Sequence, residues 1–401
     1  VRKVLISSGI FFLIFFYGLV LSQVHISVVP EELQPKNHTG FYDYRGVTNI
    51  HSNRKIGSGT PAEIIKAAHD VGLDYLFITD LNTFNGAPVP EGYNRNLLVM
   101  EGNEYSYLDS RLLLYDIGRR HSLETLGEAQ VLLADLLSQS GKDAEQDLIV
   151  LAHPSKPGFS WSGPYPSGLD GIEVINLKSV WRHAWDDSKL SFIWSAIVFP
   201  FNPQLALLRL YEEPQPELNL WDQLSQTRPT IGIAGAEATA RTTPIAGVAL
   251  RFPSYQTSFS LASNHVLLPS ELTGNAESDR SKIINALQSG QFYFSLDILG
   301  NPKGFAAYIQ DGEKTHPMGS TVTWTPGMKM IVHLPEKPSV PFEAAFLKDG
   351  QHIMSSNSVD TEYELHGPGV YRVIVRVFLS LTLPDGNRWM TWIYTNPFTV
   401  K

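Results

Sequence analysis

Carboxylates and imidazoles recur where short apolar runs end along the middle of this chain. Residues 73–80, LDYLFITD, read as a buried strand closing on Asp80. Further apolar runs at 96–100, 148–152, 171–175 and 230–234 each lead into a loop carrying His, Glu or Asp. Strand ends gathered in this way build the active face of parallel α/β barrels. The chain has no cysteine, which removes disulfides, thiolate metal sites and cysteine nucleophiles together. Metal-ligand chemistry here therefore falls to His, Asp and Glu. No Ser-His-Asp order, Walker loop or Gly-rich dinucleotide turn stands in a persuasive context. His69, His121, His183, His265, His316, His333, His352 and His366 show no metal-ligand spacing and are expected in surface or core roles.

Positioning such loops takes a parallel α/β framework, and from about residue 41 to 299 apolar runs alternate with helical patterns accordingly. Residues 61–71, PAEIIKAAHDV, place Pro61 in a first helical turn and set Ile64, Ile65, Ala68 and Val71 at helical spacing; Gly72 then stops the helix. Residues 190–210 are unusually apolar, with Phe192, Ile193, Trp194, Phe199 and Phe201, and are broken by Pro200 and by Asn202-Pro203. They read as an insertion, either buried against the barrel or resting on a membrane surface. After Gly300, strand-like runs recur at 305–309, 321–324, 330–334, 342–347, 370–378 and 389–394. Turn signals such as Asp349-Gly350 and Pro384-Asp385-Gly386 separate them, which predicts an antiparallel β-sandwich of about a hundred residues.

Arg2 and Lys3 precede an uncharged run over residues 4–22, VLISSGIFFLIFFYGLVLS. At about 1.5 Å per residue it just spans a bilayer core of about 30 Å. The expectation is a transmembrane helix, kept as an anchor or removed as a signal segment. The charges before it place the body on the extracytoplasmic side of a single-pass membrane protein, or outside the cell if the segment is cleaved. The expected plan is an anchor or signal over 1–24, a linker over 25–42, a barrel over 43–299 and a β-sandwich over 300–401. A length of 401 residues suffices for a barrel-sized core and an accessory module. A net charge of −9 without a dense basic run argues against a nucleic-acid partner.

Residues 44–83, YRGVTNIHSNRKIGSGTPAEIIKAAHDVGLDYLFITDLNT, resemble the opening of polymerase-and-histidinol-phosphatase (PHP) domains. There a strand ends in His-x-His, a Ser-Asp-Gly turn follows, a helix opens with Pro and Glu, and the next strand ends in Thr-Asp-His. Downstream, EGNEYS at 101–106 is similar to the family's Gly-x-Glu step, LAHP at 151–154 to its Ala-His-Pro step, and GIAGAEATA at 232–240 to its Gly-Ser-Asp-Ala-His step. SKIINALQSGQFYF at 281–294 and WMTWIYTNPFTV at 389–400 resemble the barrel end and final strand of a branch with a C-terminal β domain. The resemblance implies a distorted (β/α)7 TIM-like barrel followed by a small antiparallel β-sandwich. It also implies metal-dependent phosphoester hydrolysis, with the ions activating a water.

Carried over position by position, the resemblance assigns metal-ligand places to His51, Glu104, His153 and Glu237. Asn49, Ile56, Leu81 and Thr239 stand where four further ligands belong. Asp80, Glu101 and Arg241 fall beside them. A catalytic zinc needs three protein ligands and an open position, so one divalent ion, zinc or manganese, is the most this set implies, and none if the site is fully degenerate. Apolar Ile56 and Leu81 oppose a cation by desolvation. Two readings stay open. One is a pseudoenzyme with a binding or structural role, its partner an unidentified ligand or an envelope protein. The other is an active phosphoesterase with a one-metal site built from His51, His153 and Glu104 or Glu237.

Overall fold

The computed structural model describes residues 2–31, 33, 40–84, 89–115, 123–138, 148–179, 188–245, 248–251, 253–381 and 386–401. His121, His183 and the expected turn at Pro384-Asp385 lie outside the described residues. The chain has a mixed α/β fold, with one large sheet and two smaller ones among the described residues. Its first strands are β1 (Tyr42–Ile50), β2 (Tyr75–Ile78), β3 (Gly92–Asn94), β4 (Leu97–Glu101), β5 (Asn103–Tyr107), β6 (Ser110–Tyr115), β7 (Leu148–Ala152), β8 (Gly171–Asn176) and β9 (Ile231–Ala238). There follow β10 (Thr242–Ile245), β11 (Val248–Arg251), β12 (Ser263–Leu268) and β13 (Phe292–Ser295). The later strands are β14 (Ala306–Asp311), β15 (Lys314–Pro317), β16 (Thr321–Val322), β17 (Lys329–His333), β18 (Phe342–Lys348), β19 (Gln351–Ser356), β20 (Asp360–Glu364), β21 (Gly369–Ser380), β22 (Asn387–Thr395) and β23 (Phe398–Val400).

Parallel pairings run from β4 through β2, β1, β9 and β8 to β7. Antiparallel β6 and β5 follow, a bridge from Leu81 to Glu104 ties the end of β2 to β5, and the sheet closes as a barrel. Every residue of β7, β8 and β9 is buried. Strands covered on both faces carry such unbroken apolar runs, and a charged residue inside one has to find its partner in the interior. The first half of β1 pairs antiparallel with β12, and β12, β13 and β22 lead the same sheet onward into β21, β18 and β23. A separate four-stranded sheet, ordered β15, β14, β17, β20, belongs to the same C-terminal region.

The helices are α1 (Arg2–Leu21), α2 (Pro61–Asp70), α3 (Leu126–Ser138), α4 (Lys189–Val198), α5 (Pro203–Arg209), α6 (Gln215–Thr227), α7 (Tyr255–Phe259) and α8 (Ala276–Gln288). Helix α2 shows how local sequence sets an element that carries a loop. Thr60 caps the Glu63 amide while the Glu63 carboxylate takes the Thr60 amide, Pro61 opens the first turn, and Ile64, Ile65, Ala67 and Ala68 are buried. Thr60→Ala is expected to lower stability by about 1 kcal/mol, read in urea unfolding.

The expected transmembrane helix is corrected, and with it the single-pass placement of the body outside the cytoplasm: among the described residues, no helix is long and apolar enough to cross a membrane. The end of α1 instead meets the chain's own apolar insertion. Tyr17 lies edge-on to Trp194 at 6.4 Å and Phe15 to Phe201 at 6.0 Å. Gly18 lies against Phe201 so closely that a Cβ there would meet the ring. Leu21 is buried, and its carbonyl accepts a hydrogen bond from Asn202 at 2.9 Å. The insertion forms α4 and α5; Leu205–Leu208 are buried while Leu190 and Ile193 are exposed. Beyond α1, Ile26, Val28 and Val29 are buried, and the Val28 amide donates to Leu299 O.

Candidate functional site

The ends of β1, β7 and β9 and the start of β5 converge on one buried cluster. His51 directly follows β1, and its Nε2 lies 3.4 Å from Glu104 Oε2 and 3.9 Å from Glu237 Oε2. His153 directly follows β7, with Nε2 3.2 Å from Glu237 Oε2 and 4.0 Å from Glu104 Oε1. All four side chains are buried. Glu173, from the middle of β8, joins them: its Oε2 is 3.9 Å from His153 Nδ1 and accepts from the His153 amide. The Asn49 amide group donates to Glu173 Oε1 at 2.7 Å and to Glu237 Oε2 at 3.1 Å. Asn176 repeats that bridge at 2.8 and 3.4 Å, and Lys178 Nζ sits 2.7 Å from Glu237 Oε1.

The backbone carries strain at this place. Asn49, His153 and Glu237 take φ values of 58°, 52° and 44°, a region in which residues other than glycine cost roughly 1–3 kcal/mol. Bulges between Val47 and Ile50 in β1 and between Glu173 and Ile175 in β8 break the regular alternation just where these residues turn inward. Gly235 in β9 supplies room for Glu173, since a Cβ there would lie 1.6 Å from Glu173 Oε1.

The flanking residues are engaged too. Asp80 accepts from the Ser52 amide and hydroxyl, both at 2.6 Å, and Arg54 reaches Glu101 at 2.6 Å and Asp80 at 3.8 Å. Arg241 is exposed, and Glu237 takes Lys178 as its cation. Ile56 and Leu81 are half-buried; Thr239 is buried, and its carbonyl accepts from the Ser58 amide and the Tyr255 hydroxyl.

Burial pulls the His51 imidazolium toward neutrality, but Glu237 beside it, with Glu104 and Asp80, outweighs this and raises its pKa. His153 is raised in the same way by Glu237 and Glu173 against burial. Burial pushes Glu104 and Glu173 up, with the neighbouring charge of Glu237 adding to it. Burial also works on Glu237, but His153 and His51 beside it win and hold it well below the usual carboxylate range. Glu237 thus favours the charged forms of both imidazoles, while burial works against the charge of Glu104 and Glu173.

Whether these residues fit metal ions follows from their chemistry. Asn49 Oδ1 and both ring nitrogens of His51 are buried without a hydrogen-bond partner, which leaves polar capacity unfilled at the centre. Yet among the described residues no group of three or more His, Asp or Glu side chains stands ready to hold a metal ion. The donors are turned on one another in ion pairs. A centre of two or three ions requires shared carboxylate and imidazole ligands, and Asn49, Ile56, Leu81 and Thr239 do not provide them. The residues do not fit such a centre.

A cavity of about 150 Å³ bordered by His153, Glu173, Asn176, Ser179 and Glu213 opens beside the cluster. A larger cleft of about 920 Å³, lined among others by Asp170, Arg228, Ile231, Leu268 and Lys282, lies at the opposite strand ends, away from the paired acids and imidazoles. Sequence reasoning missed Glu173, Asn176, Lys178 and Arg54. Glu173 carried a usable signal: a lone charge inside the apolar run GIEVIN.

No family model matches the sequence, and no curated protein matches it. Among solved structures, the chain is similar to a two-domain protein of Bacteroides vulgatus described as containing a PHP-like metal-dependent phosphoesterase, at 12% identity and a TM-score of 0.39, over 90% of this chain and 98% of that one. It is also similar to a Bifidobacterium adolescentis protein described as a metal-dependent phosphoesterase, at 15% identity and a TM-score of 0.24, over 51% of this chain and 92% of that one. Likenesses this distant settle neither family nor activity.

Proposed function

We propose that this chain is a relative of the PHP metal-dependent phosphoesterases whose hydrolytic activity is impaired or lost, and whose barrel pocket serves a binding or structural role. One observation carries the reading: His51, Glu104, His153 and Glu237 face one another in buried ion pairs; by the resemblance, Asn49, Ile56, Leu81 and Thr239 stand in the places of the remaining ligands. A divalent ion entering here has to break buried ion pairs without gaining a full ligand set. Purified protein, dialysed and analysed by mass spectrometry for metals, should contain substoichiometric zinc and manganese and should not hydrolyse bis(p-nitrophenyl) phosphate or p-nitrophenyl phosphate. Near-stoichiometric zinc or manganese together with turnover would sink the proposal.

The ring nitrogens of His51, which make no hydrogen bond, favour a second reading, a hydrolase with one ion held by His51, His153 and Glu104 or Glu237. Under that reading His153→Ala removes metal and turnover together. A His153→Ala chain as active as the parent excludes it.

A further inference from the structure

We propose that the large cleft at the floor of the barrel binds a small organic acid with an apolar body, its carboxylate drawn to Arg228 and Lys282. The proposal stands apart from the buried cluster of acids and imidazoles and holds whether or not that cluster hydrolyses a substrate. The cleft, of about 920 Å³, lies where three parts of the chain meet. Asp170 just before β8 and Ile231 at the start of β9 come from the barrel, Lys282 and Asn285 from α8, and Pro397 from the link between β22 and β23. Small-molecule sites favour such junctions and measure about 300–1,000 Å³. Barrel chemistry belongs to the opposite strand ends, so a ligand here is held and not transformed.

Arg228 carries the argument. It follows α6 directly in extended backbone, and its half-buried guanidinium donates from Nη1 to Pro166 O. Nη2 is covered and makes no hydrogen bond. Among the described residues Arg228 forms no ion pair; the carboxylate that acts on it is Asp170, whose Oδ2 already accepts from the Ile149 amide at 2.7 Å. Burial opposes the guanidinium charge, and Asp170 offsets only part of that. Buried donors normally find acceptors, and a charge taken from water normally finds a partner. An anion seated in the cleft supplies both the missing counter-charge and an acceptor for the guanidinium edge that Pro166 leaves unused.

Lys282 brings a second cation to the lining. Its Nζ donates to Glu271 O at 2.8 Å and lies 3.3 Å from Asp279 Oδ1. That carboxylate is widely shared, since the Thr273 and Gly274 amides and the Thr273 and Tyr93 hydroxyls also donate to Asp279. Against Arg228 and Lys282 the lining itself sets one carboxylate, Asp170, a balance that suits a single negative charge and opposes a dianion. The planar fork of arginine matches a carboxylate. Ile231, Leu268, Ala286 and Pro397 line the same space. A bare inorganic anion leaves these apolar side chains uncovered, and an apolar amine meets two like charges.

The test is calorimetric titration of the full chain with decanoate and, as a control of opposite charge, decylammonium. One decanoate should bind per chain, with decylammonium at least about 10-fold weaker, as expected when a charged hydrogen bond is replaced by repulsion. Arg228→Gln and Lys282→Gln should each weaken decanoate by about 10-fold. Asn285→Trp, which adds bulk to the cleft from an exposed position on α8, should weaken it as well. Lys66→Gln, exposed on α2, should bind as the parent does. Circular dichroism identifies the folded variants; if Arg228→Gln fails to fold without its bond to Pro166, Lys282→Gln and Asn285→Trp decide the matter. A parent that takes decylammonium as well as decanoate overturns the proposal, because the exposed apolar residues of α1 then account for the binding. Folded variants that bind decanoate as tightly as the parent overturn it too.

Discussion

Asp297→Ala should cost the fold about 3–5 kcal/mol, the loss expected when one member of a buried ion pair is removed and its partner is stranded. Asp297 lies behind the barrel, where β1, β12 and β13 meet. It accepts from Arg45 Nε, Ser263 and Ser295 and faces His265 Nε2 at 3.7 Å. His265 Nδ1 in turn meets Asp43 at 2.8 Å, and Asp43 also accepts from the Tyr293 hydroxyl at 2.6 Å and the Gly304 amide at 2.9 Å. Two carboxylates and two cations therefore balance inside the protein, with side chains 0–9% exposed. Removing one acid leaves Arg45 and His265 with a single counter-charge. Urea unfolding of Asp297→Ala measures the loss; a change below about 1 kcal/mol would show that the network relaxes freely, against the rule for buried pairs.

The same network contributes to how stability depends on pH. Burial pulls His265 down, but Asp43 and Asp297 outweigh it and raise its pKa to about 9 from 6.5. A group raised on folding contributes its full stability below the unfolded value of about 6.5, and loses it as pH climbs through the folded value of about 9. The shift corresponds to about 3 kcal/mol. Burial pushes Asp297 up, but Arg45 and His265 hold it well below the ordinary range, so its contribution is present above the unfolded value and fades as pH falls through the folded one. The unfolding free energy should decline between about pH 6.5 and 9.5; His51 and His153, raised likewise, contribute to the same limb, and His265→Gln should make it shallower. A parent profile already flat there contradicts the assignment.

What the sequence discloses of this molecule is what short-range pattern can encode. The helix over 61–71 is legible because Thr60, Pro61, Glu63 and Gly72 each act within one turn. His51 and His153 are legible as strand-end residues because a polar residue closing an apolar run is a local pattern. Lys178 and Arg54 are not, because a lysine or arginine acquires meaning only from the carboxylate that folding brings to it. Strands β15, β19 and β20 were also missed: KTHP, QHIMSS and DTEYE have one face in water and too few apolar residues to stand out. The N-terminal run is corrected by the helix it forms: among the described residues none is long and apolar enough to cross a membrane, and while Phe11, Leu13 and Phe16 stay exposed, Tyr17, Gly18 and Leu21 meet Trp194, Phe201 and Asn202.

Gly235→Ala should destabilise the fold, and its cause can be isolated. The new Cβ would lie 1.6 Å from Glu173 Oε1. The end of a flexible side chain usually steps aside, but Glu173 is fully buried and held by Asn49, Asn176 and the His153 amide. Moving it costs about 1–3 kcal/mol for the overpacking and about 1–3 kcal/mol for each buried amide left without its acceptor. Because the damage passes through one carboxylate, removing that carboxylate should remove most of the clash. The loss in Glu173→Ala/Gly235→Ala should fall short of the sum of the two single-variant losses by at least about 1 kcal/mol, the coupling expected of residues in contact. Additive losses in urea unfolding would mean that Glu173 leaves its place readily. The cluster of His51, His153 and Glu237 would then be held by its own charges rather than by the strand that carries Glu173.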